Sequence, residues 1–242
     1  MSALRSVLFY IGYFAGIVFF GVLFGPIAAF LPLRRRFALL NSYNRFAVLW
    51  LKWTCGVRYK VEYQAPLPKG TFVMLSNHQS EWETLYLQLI TSPVCTVLKK
   101  ELLSLPIFGW ALRLLNPIPL DRSNPSAALR AVISEGGERL KSGLSILIFP
   151  EGTRVEPGRR RRFNKSGALI ASNAGVPVVP IAHNAGDCWP GKTFIKRPGT
   201  ITVVIGAPIH ANGRSAKEVI QEVERWSDEQ LMRISRDYAP PK

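Results

Sequence analysis

The 242-residue sequence predicts an α/β fold, a mostly parallel twisted sheet flanked by helices and preceded by an N-terminal hydrophobic helical membrane segment. Three observations predict it. From residue 56 onward, short apolar runs alternate with stretches of helical spacing, the pattern of a parallel sheet with crossover helices. Ser6 to Leu33 carries no charged residue and exceeds the roughly 20 apolar residues that cross a bilayer. Clusters rich in His, Glu, Gly and Arg follow several of the apolar runs, and sites in such sheets lie beyond the carboxyl ends of strands.

The elements follow in order. Arg5 alone precedes the first apolar segment, and Arg34-Arg-Arg36 follow it. That run is too long for a cleavable signal, and the positive-inside bias puts the remainder of the chain on the cytoplasmic side. Gly21, Gly25-Pro26 and Pro32 could break the segment into a re-entrant hairpin in one leaflet, so a span and a one-leaflet insertion both stand, beside a buried core helix. Phe37 to Trp53 mixes aromatics and Leu with Asn41, Asn44, Arg45 and Lys52. It reads as an interfacial amphipathic helix with Tyr43, Trp50 and Trp53 at head-group level, or as a surface helix packed on the following domain. Residues 1–55 therefore form an anchoring segment.

Beyond Gly56, Arg58–Tyr63 predicts an edge strand and Thr71–Ser76 a short buried one. Trp82–Ile90 predicts a helix, and Val94–Leu98 and Pro117–Leu120 strands. Asn124-Pro125 supplies an N-cap and a Pro at the first helical position, opening a helix to Lys141. Ser145–Phe149 is strongly apolar and predicts a strand. Lys165–Asn173 predicts a helix, Val176–Ala182 and Ile201–Ile205 strands, and Ser215–Arg236 a closing helix.

Hydrophobic residues make up 48% of the chain, and 31 Lys and Arg against 16 Asp and Glu give a net charge of +15. Such a surface attracts anions: nucleic acid, anionic lipid or phosphorylated substrates. No nucleic-acid motif accompanies the charge, so an anionic bilayer beside the apolar segment is the partner expected, and nucleic acid is not. The run Arg159–Arg162 with Lys165 is either a solvated loop or a head-group contact. Cys55, Cys95 and Cys188 are widely spaced, without CxxC pairs or a His cluster. Neither a metal site nor a disulfide framework is expected.

Two clusters carry candidate chemistry. In Asn77-His-Gln-Ser-Glu-Trp-Glu83, Ser80 and Glu83 match a capping box, which leaves His78 an ordinary loop histidine. The same spacing lets Glu83 converge on His78 across the first helical turn. A carboxylate on one ring nitrogen fixes the tautomer and leaves the other to take a proton. In Phe149-Pro-Glu-Gly-Thr-Arg154, Gly152 permits a tight turn, Thr153 can hydrogen-bond, Arg154 offers a planar fork for phosphate, and Glu151 could bind a hydroxyl. A plain strand-to-turn connection fits those residues equally. Lys100 and Arg122, at strand ends, are further candidates for phosphate.

Taken together, the sequence resembles the 1-acyl-glycerol-3-phosphate (lysophosphatidic acid) acyltransferases. Asn77-His78 through Glu83 resembles the family's His-x4-Asp block. Lys100–Pro106, Gly109 and Asp121-Arg122 resemble the acceptor-binding block. Phe149–Arg154 is similar to the Phe-Pro-Glu-Gly-Thr-Arg block, and Val176–Ile181 to the fourth. The likeness covers about residues 56–210. It departs from the family at Glu83, where Asp is usual, and Glu81 stands as an alternative acid. The resemblance implies that residues 56–242 are the catalytic domain. It implies that His78, oriented by Glu83, deprotonates the sn-2 hydroxyl of lysophosphatidic acid for attack on acyl-CoA or acyl-ACP. Lys100, Arg122 and Arg154 would hold phosphate, and Glu151, Gly152 and Thr153 would shape the acceptor site. No cofactor or metal is implied, and the location is a bacterial inner membrane. An acyltransferase for another lysolipid, and a non-catalytic protein that binds anionic lipid, are the alternatives.

Overall fold

The computed structural model describes residues 2–121, 123–236 and 238. Seven strands form one sheet: β1 (Val57–Tyr63), β2 (Val73–Ser76), β3 (Val94–Lys99), β4 (Ile118–Leu120), β5 (Ser145–Ile148), β6 (Val178–His183) and β7 (Gly199–Ile205). Their spatial order is β1-β7-β6-β2-β5-β3-β4. Every pairing is parallel except β6 with β7, which is antiparallel. β1 is an edge strand, as expected. The central strands β2, β5 and β6 are buried along their whole length, as strands covered on both faces must be.

The two faces separate by strand alternation. Val73 and Leu75 of β2 join Ile146, Ile148 and Val178 under the helices α5 (Pro125–Lys141), α6 (Ser166–Ala174) and α8 (Ala216–Ile234). Met74, Leu147, Val179 and Val203 face the opposite way, toward α1 (Ser2–Ala29), α2 (Leu33–Cys55), α3 (Trp82–Ile90) and α7 (Ala185–Cys188). A 3₁₀ turn over Lys100–Ser104 and α4 (Phe108–Arg113) follow β3. These two short elements and α7 carry no long periodicity, and local pattern did not predict them. Asn124 caps α5 by accepting the Ala127 N–H at 3.1 Å, as its sequence position requires.

α1 runs unbroken for 28 residues through Gly21, Gly25 and Pro26. It is long and apolar enough to cross a membrane by length and composition. It does not break where Gly21, Gly25 and Pro26 had suggested; the chain reverses after it, and α2 returns antiparallel along it. Arg36 donates to the carbonyls of Leu31 and Ala29 at this turn, supplying partners to a helix C-terminus that lacks them. Gly12 lets the helices approach closely: a Cβ there would meet the Trp50 ring at 2.2 Å. Trp50 Nε1 donates to the Phe9 carbonyl at 3.1 Å. Tyr43 is buried against Tyr13, whose carbonyl accepts its hydroxyl. The expected aromatic belt is therefore corrected: Tyr43 and Trp50 turn inward to α1, and only Trp53 is freely exposed. The outer face of α1, including Ile11, Phe14, Phe19 and Val22, is exposed and apolar.

Candidate active site

Several hydrogen bonds hold the β2–α3 connection, although Glu83 Oε2 is buried without a partner among the described residues. The Asn77 side chain exchanges two hydrogen bonds with the His183 backbone at the end of β6, at 2.9 and 3.0 Å. His183 is fully buried. Its Nδ1 accepts from Ala185 N, and its Nε2 lies 2.8 Å from the Asn77 carbonyl, so the neutral ring satisfies both contacts. Burial pushes the His183 imidazole below its ordinary value. Gln79 Oε1 accepts the Gly186 N–H at 3.1 Å. Sequence reasoning missed His183; a histidine ending an apolar strand was its only local signal.

These clasps present His78 to Glu83. Glu83 Oε1 lies 2.8 Å from His78 Nδ1 and also accepts the backbone N–H groups of Gln79 and Ser80, each at 2.7 Å. Glu83 is completely buried. Burial would raise its carboxyl, but His183, His78 and the Ser80 N–H hold it below its ordinary value. The two readings of the sequence thus coexist. Glu83 reaches back to Ser80 as a capping acid does, although the Ser80 hydroxyl accepts from Trp82 N at 3.0 Å. With Nδ1 engaged as a donor, His78 Nε2 is the nitrogen left for chemistry. The ring stacks on Phe149, centroids 4.3 Å apart.

Glu81 is occupied elsewhere: its Oε1 pairs with Arg154 at 2.5 Å. By geometry, Glu83 is the carboxylate beside the histidine. Glu151 lies behind the site. Its Oε2 accepts the His78 backbone N–H at 2.5 Å, and it is not among the cavity-lining residues. Burial, helped by the nearby Glu83 charge, pushes its carboxyl well above the ordinary range against the pull of that N–H. Gly152 turns the chain at φ 71°, a left-handed conformation that favours glycine.

A cavity of about 640 Å³ runs from this centre. It is lined by His78, Glu81, Gly152, Thr153, Arg154 and Lys99. Apolar side chains, among them Ile17, Phe20, Leu102, Ile107 and Leu115, line the same cavity. The structure therefore brings His78, Gly152, Thr153 and Arg154 together around one space, with Glu83 and Glu151 supporting from behind. Lys100 is not brought in: its ammonium is exposed and pairs with Asp121 at 3.1 Å. The 3₁₀ turn that begins at Lys100 redirects the chain there, and Lys99 lines the cavity instead. Arg122 lies outside the described residues. Among the described residues no His, Cys, Asp and Glu grouping could hold a metal ion.

A three-layer α/β domain with a histidine held by a buried glutamate, on the wall of a largely apolar cavity, is an arrangement suited to acyl transfer. Residues 58–184 match the family model described as Acyltransferase. A 1-acyl-sn-glycerol-3-phosphate acyltransferase of Pseudomonas aeruginosa is 45% identical over 97% of this chain and 93% of its own. The chloroplastic enzyme LPAT1 of Arabidopsis thaliana is 31% identical over 77% of this chain and 52% of its own. The crystal structure of PlsC, the 1-acyl-sn-glycerophosphate acyltransferase of Thermotoga maritima, superposes with a TM-score of 0.76 at 26% identity, covering 96% of this chain and 95% of that one. The chain belongs to the 1-acyl-sn-glycerol-3-phosphate acyltransferase family.

Proposed function

We propose that this chain transfers an acyl group from acyl-CoA or acyl-ACP to the sn-2 hydroxyl of lysophosphatidic acid, giving phosphatidic acid. The observation that carries the reading is the 2.8 Å contact of His78 Nδ1 with buried Glu83, on the wall of a cavity that Arg154 also lines. His78 Nε2 accepts the hydroxyl proton as the oxygen attacks the thioester carbonyl. The tetrahedral intermediate collapses, the C–S bond breaks, and the leaving thiolate takes the proton back from the imidazolium. Glu83 holds the ring and stabilises its charged form. The acceptor hydroxyl is itself the nucleophile, so no acyl-enzyme forms.

Arg154 contacts Glu81 through one nitrogen, which leaves further guanidinium donors for the acceptor phosphate. Lys99 and Lys192 are the other cations that line the cavity; we assign Lys99, at the end of β3, the part that sequence spacing gave Lys100. Thr153 and Gly152 border the glycerol. Glu151 acts through the His78 backbone as a positioning residue. The apolar lining of the cavity receives an acyl chain.

Residues 1–55 anchor the domain to a bacterial inner membrane from the cytoplasmic side. Insertion of the exposed face of α1 into one leaflet suits the contacts better than a span. α1 touches the domain at both ends, through Phe9 on Trp189 and Gly21 on Ile107. A span would carry Arg45 and Lys52 of α2, which are exposed, into hydrocarbon, where charge is costly.

The test is thiol release from acyl-CoA and acyl-ACP with lysophosphatidic acid, wild type against His78→Ala. Loss of release in the variant, with the fold retained by circular dichroism, is expected. Full activity in His78→Ala overturns the mechanism. Turnover only with a lysolipid lacking phosphate would keep the dyad and remove the role given to Arg154.

A further inference from the structure

The segment that follows Arg154 is unused by the mechanism above. Residues 154–165 hold six cations, Arg154, Arg159, Arg160, Arg161, Arg162 and Lys165, against one acid, Glu156. The segment is pinned at both ends. Val155 N donates to the His78 carbonyl at 2.7 Å, and Asn164 N to the Pro150 carbonyl at 2.9 Å. Between them, Arg160 pairs with Asp228 of α8 at 2.6 Å, and Phe163 N donates to Glu224 of α8 at 2.6 Å. Arg161 and Arg162 stay exposed and form no ion pair among the described residues. A scaffold that holds unpaired cations in place is prepared for an anion.

A polar cleft of about 640 Å³ adjoins this loop, lined by Arg160, Arg214, Arg225, Gln221, Glu218 and Glu224. Its acids are already used: Glu218 accepts from Ser215, and Glu224 from Phe163. Arg225 is exposed and unpaired among the described residues. The cleft therefore extends the cationic surface.

The anion held here is not the acceptor's phosphate. Only Arg154 of this segment lines the reaction cavity, together with Lys99 and Lys192 from elsewhere in the chain. Nor is it a bilayer head group. The start of the loop meets Lys192, beside α1, but Arg160–Phe163 is anchored on α8, which packs in the core on one face of the sheet, whereas α1 and its apolar surface belong to the other face. What remains is an anion outside the cavity whose reactive end lies within it. A thioester on a phosphopantetheine arm has that form, with sulfur and phosphate at opposite ends of an extended chain. The loop begins at the His78 carbonyl, and Val155 to Arg161 reaches at most about 20 Å.

We infer that Arg161 and Arg162, with Arg225 of the neighbouring cleft, bind the phosphate end of the acyl donor's phosphopantetheine arm. CoA and acyl carrier protein share that chemistry. The inference rests on the acyl-transfer reading for its donor, and the experiment separates the two.

The protein is compared with Arg161→Glu/Arg162→Glu and with Arg161→Lys/Arg162→Lys. Equilibrium binding of free CoA is measured without acceptor. Donor and acceptor KM are measured with acyl-CoA, acyl-ACP and an acyl-N-acetylcysteamine, which lacks phosphate. Charge reversal is expected to weaken CoA binding and raise donor KM about tenfold, as two exposed charge contacts permit. kcat at saturating donor, the lysophosphatidic acid KM and the acyl-N-acetylcysteamine KM stay unchanged, and the Lys variant restores binding. A rise with only one phosphorylated donor identifies that donor as the source. Unchanged CoA binding and unchanged KM for both phosphorylated donors overturn the inference. So does a rise confined to the lysophosphatidic acid KM, or a loss confined to anionic-vesicle binding. If the wild type releases no thiol with lysophosphatidic acid, the reaction reading fails, and the CoA-binding comparison still decides the loop.

Discussion

Glu83 Oε1 sits 2.8 Å from His78 Nδ1 while accepting the N–H groups of Gln79 and Ser80. One oxygen thus closes the first turn of α3 and fixes the imidazole. The cap does not compete with the histidine contact; it immobilises the acid that meets the imidazole.

His78→Ala is therefore expected to lower kcat by about 10²–10⁴-fold, the range of a lost general base. Glu83→Gln should cost about 10–10³-fold, with the substrate KM values little changed. Glu81→Gln should be milder in kcat, because Glu81 meets Arg154 instead. Steady-state thiol release checks all three. A larger kcat loss in Glu81→Gln than in Glu83→Gln would reassign the acid.

The same contact gives a pH dependence of stability. Glu83 is held below its ordinary carboxylate value in the folded protein. As pH falls, the unfolded chain binds the proton first. The stabilisation is therefore fully present above about pH 4.5 and is lost as pH falls through the folded value. Denaturant titrations between pH 3 and 7 should show a shallower acid decline in Glu83→Gln than in the wild type.

Glu151 and Arg154 separate by kinetics. Glu151 accepts the His78 backbone N–H and does not line the cavity, so Glu151→Ala should reduce kcat and leave the acceptor KM close to wild type. Arg154 lines the cavity, so Arg154→Ala should raise the acceptor KM by about 10–100-fold, the loss of a charge-assisted phosphate contact. Equal KM effects in both variants would place Glu151 on the substrate.

Membrane docking rests on α1. Phe14 and Phe19 are each more than half exposed. Inserting such rings contributes about 1–2 kcal/mol apiece, so Phe14→Ser/Phe19→Ser should weaken vesicle binding by about 10–100-fold. Flotation with anionic vesicles measures this, and activity on detergent-dispersed substrate should persist.

The thiols report on folding. Cys55, Cys95 and Cys188 are free and buried. Burial pushes Cys95 up to about 12 and Cys188 up to about 11, and raises Cys55. The thiolate is the reactive form, so native protein should resist N-ethylmaleimide at pH 7, while denatured protein takes up label at all three positions. Cys55 touches the Arg5 carbonyl of α1; selective labelling there would signal detachment of α1.

By itself, the sequence determined the seven strands and the long helices in order, the cap at Asn124, the apolar amino terminus and the nearness of His78 to an acid at Glu81 or Glu83. Each of those is local. His78 lies in the loop just before α3 and Glu83 in its first turn, five residues on, so they are neighbours along the chain as well as in space. Tertiary structure decided the rest. Asn77 meets His183 because β2 lies beside β6. Glu81 and Arg154, 73 positions apart, become partners only when β2 and β5 are neighbours. Glu151, which sequence reasoning put on the substrate, reaches the His78 backbone for the same reason. Lys100 faces outward because of a short turn with no periodic signature. Spacing along the chain encodes contacts within a turn, whereas partners across the sheet follow from strand order, which no stretch of residues encodes alone.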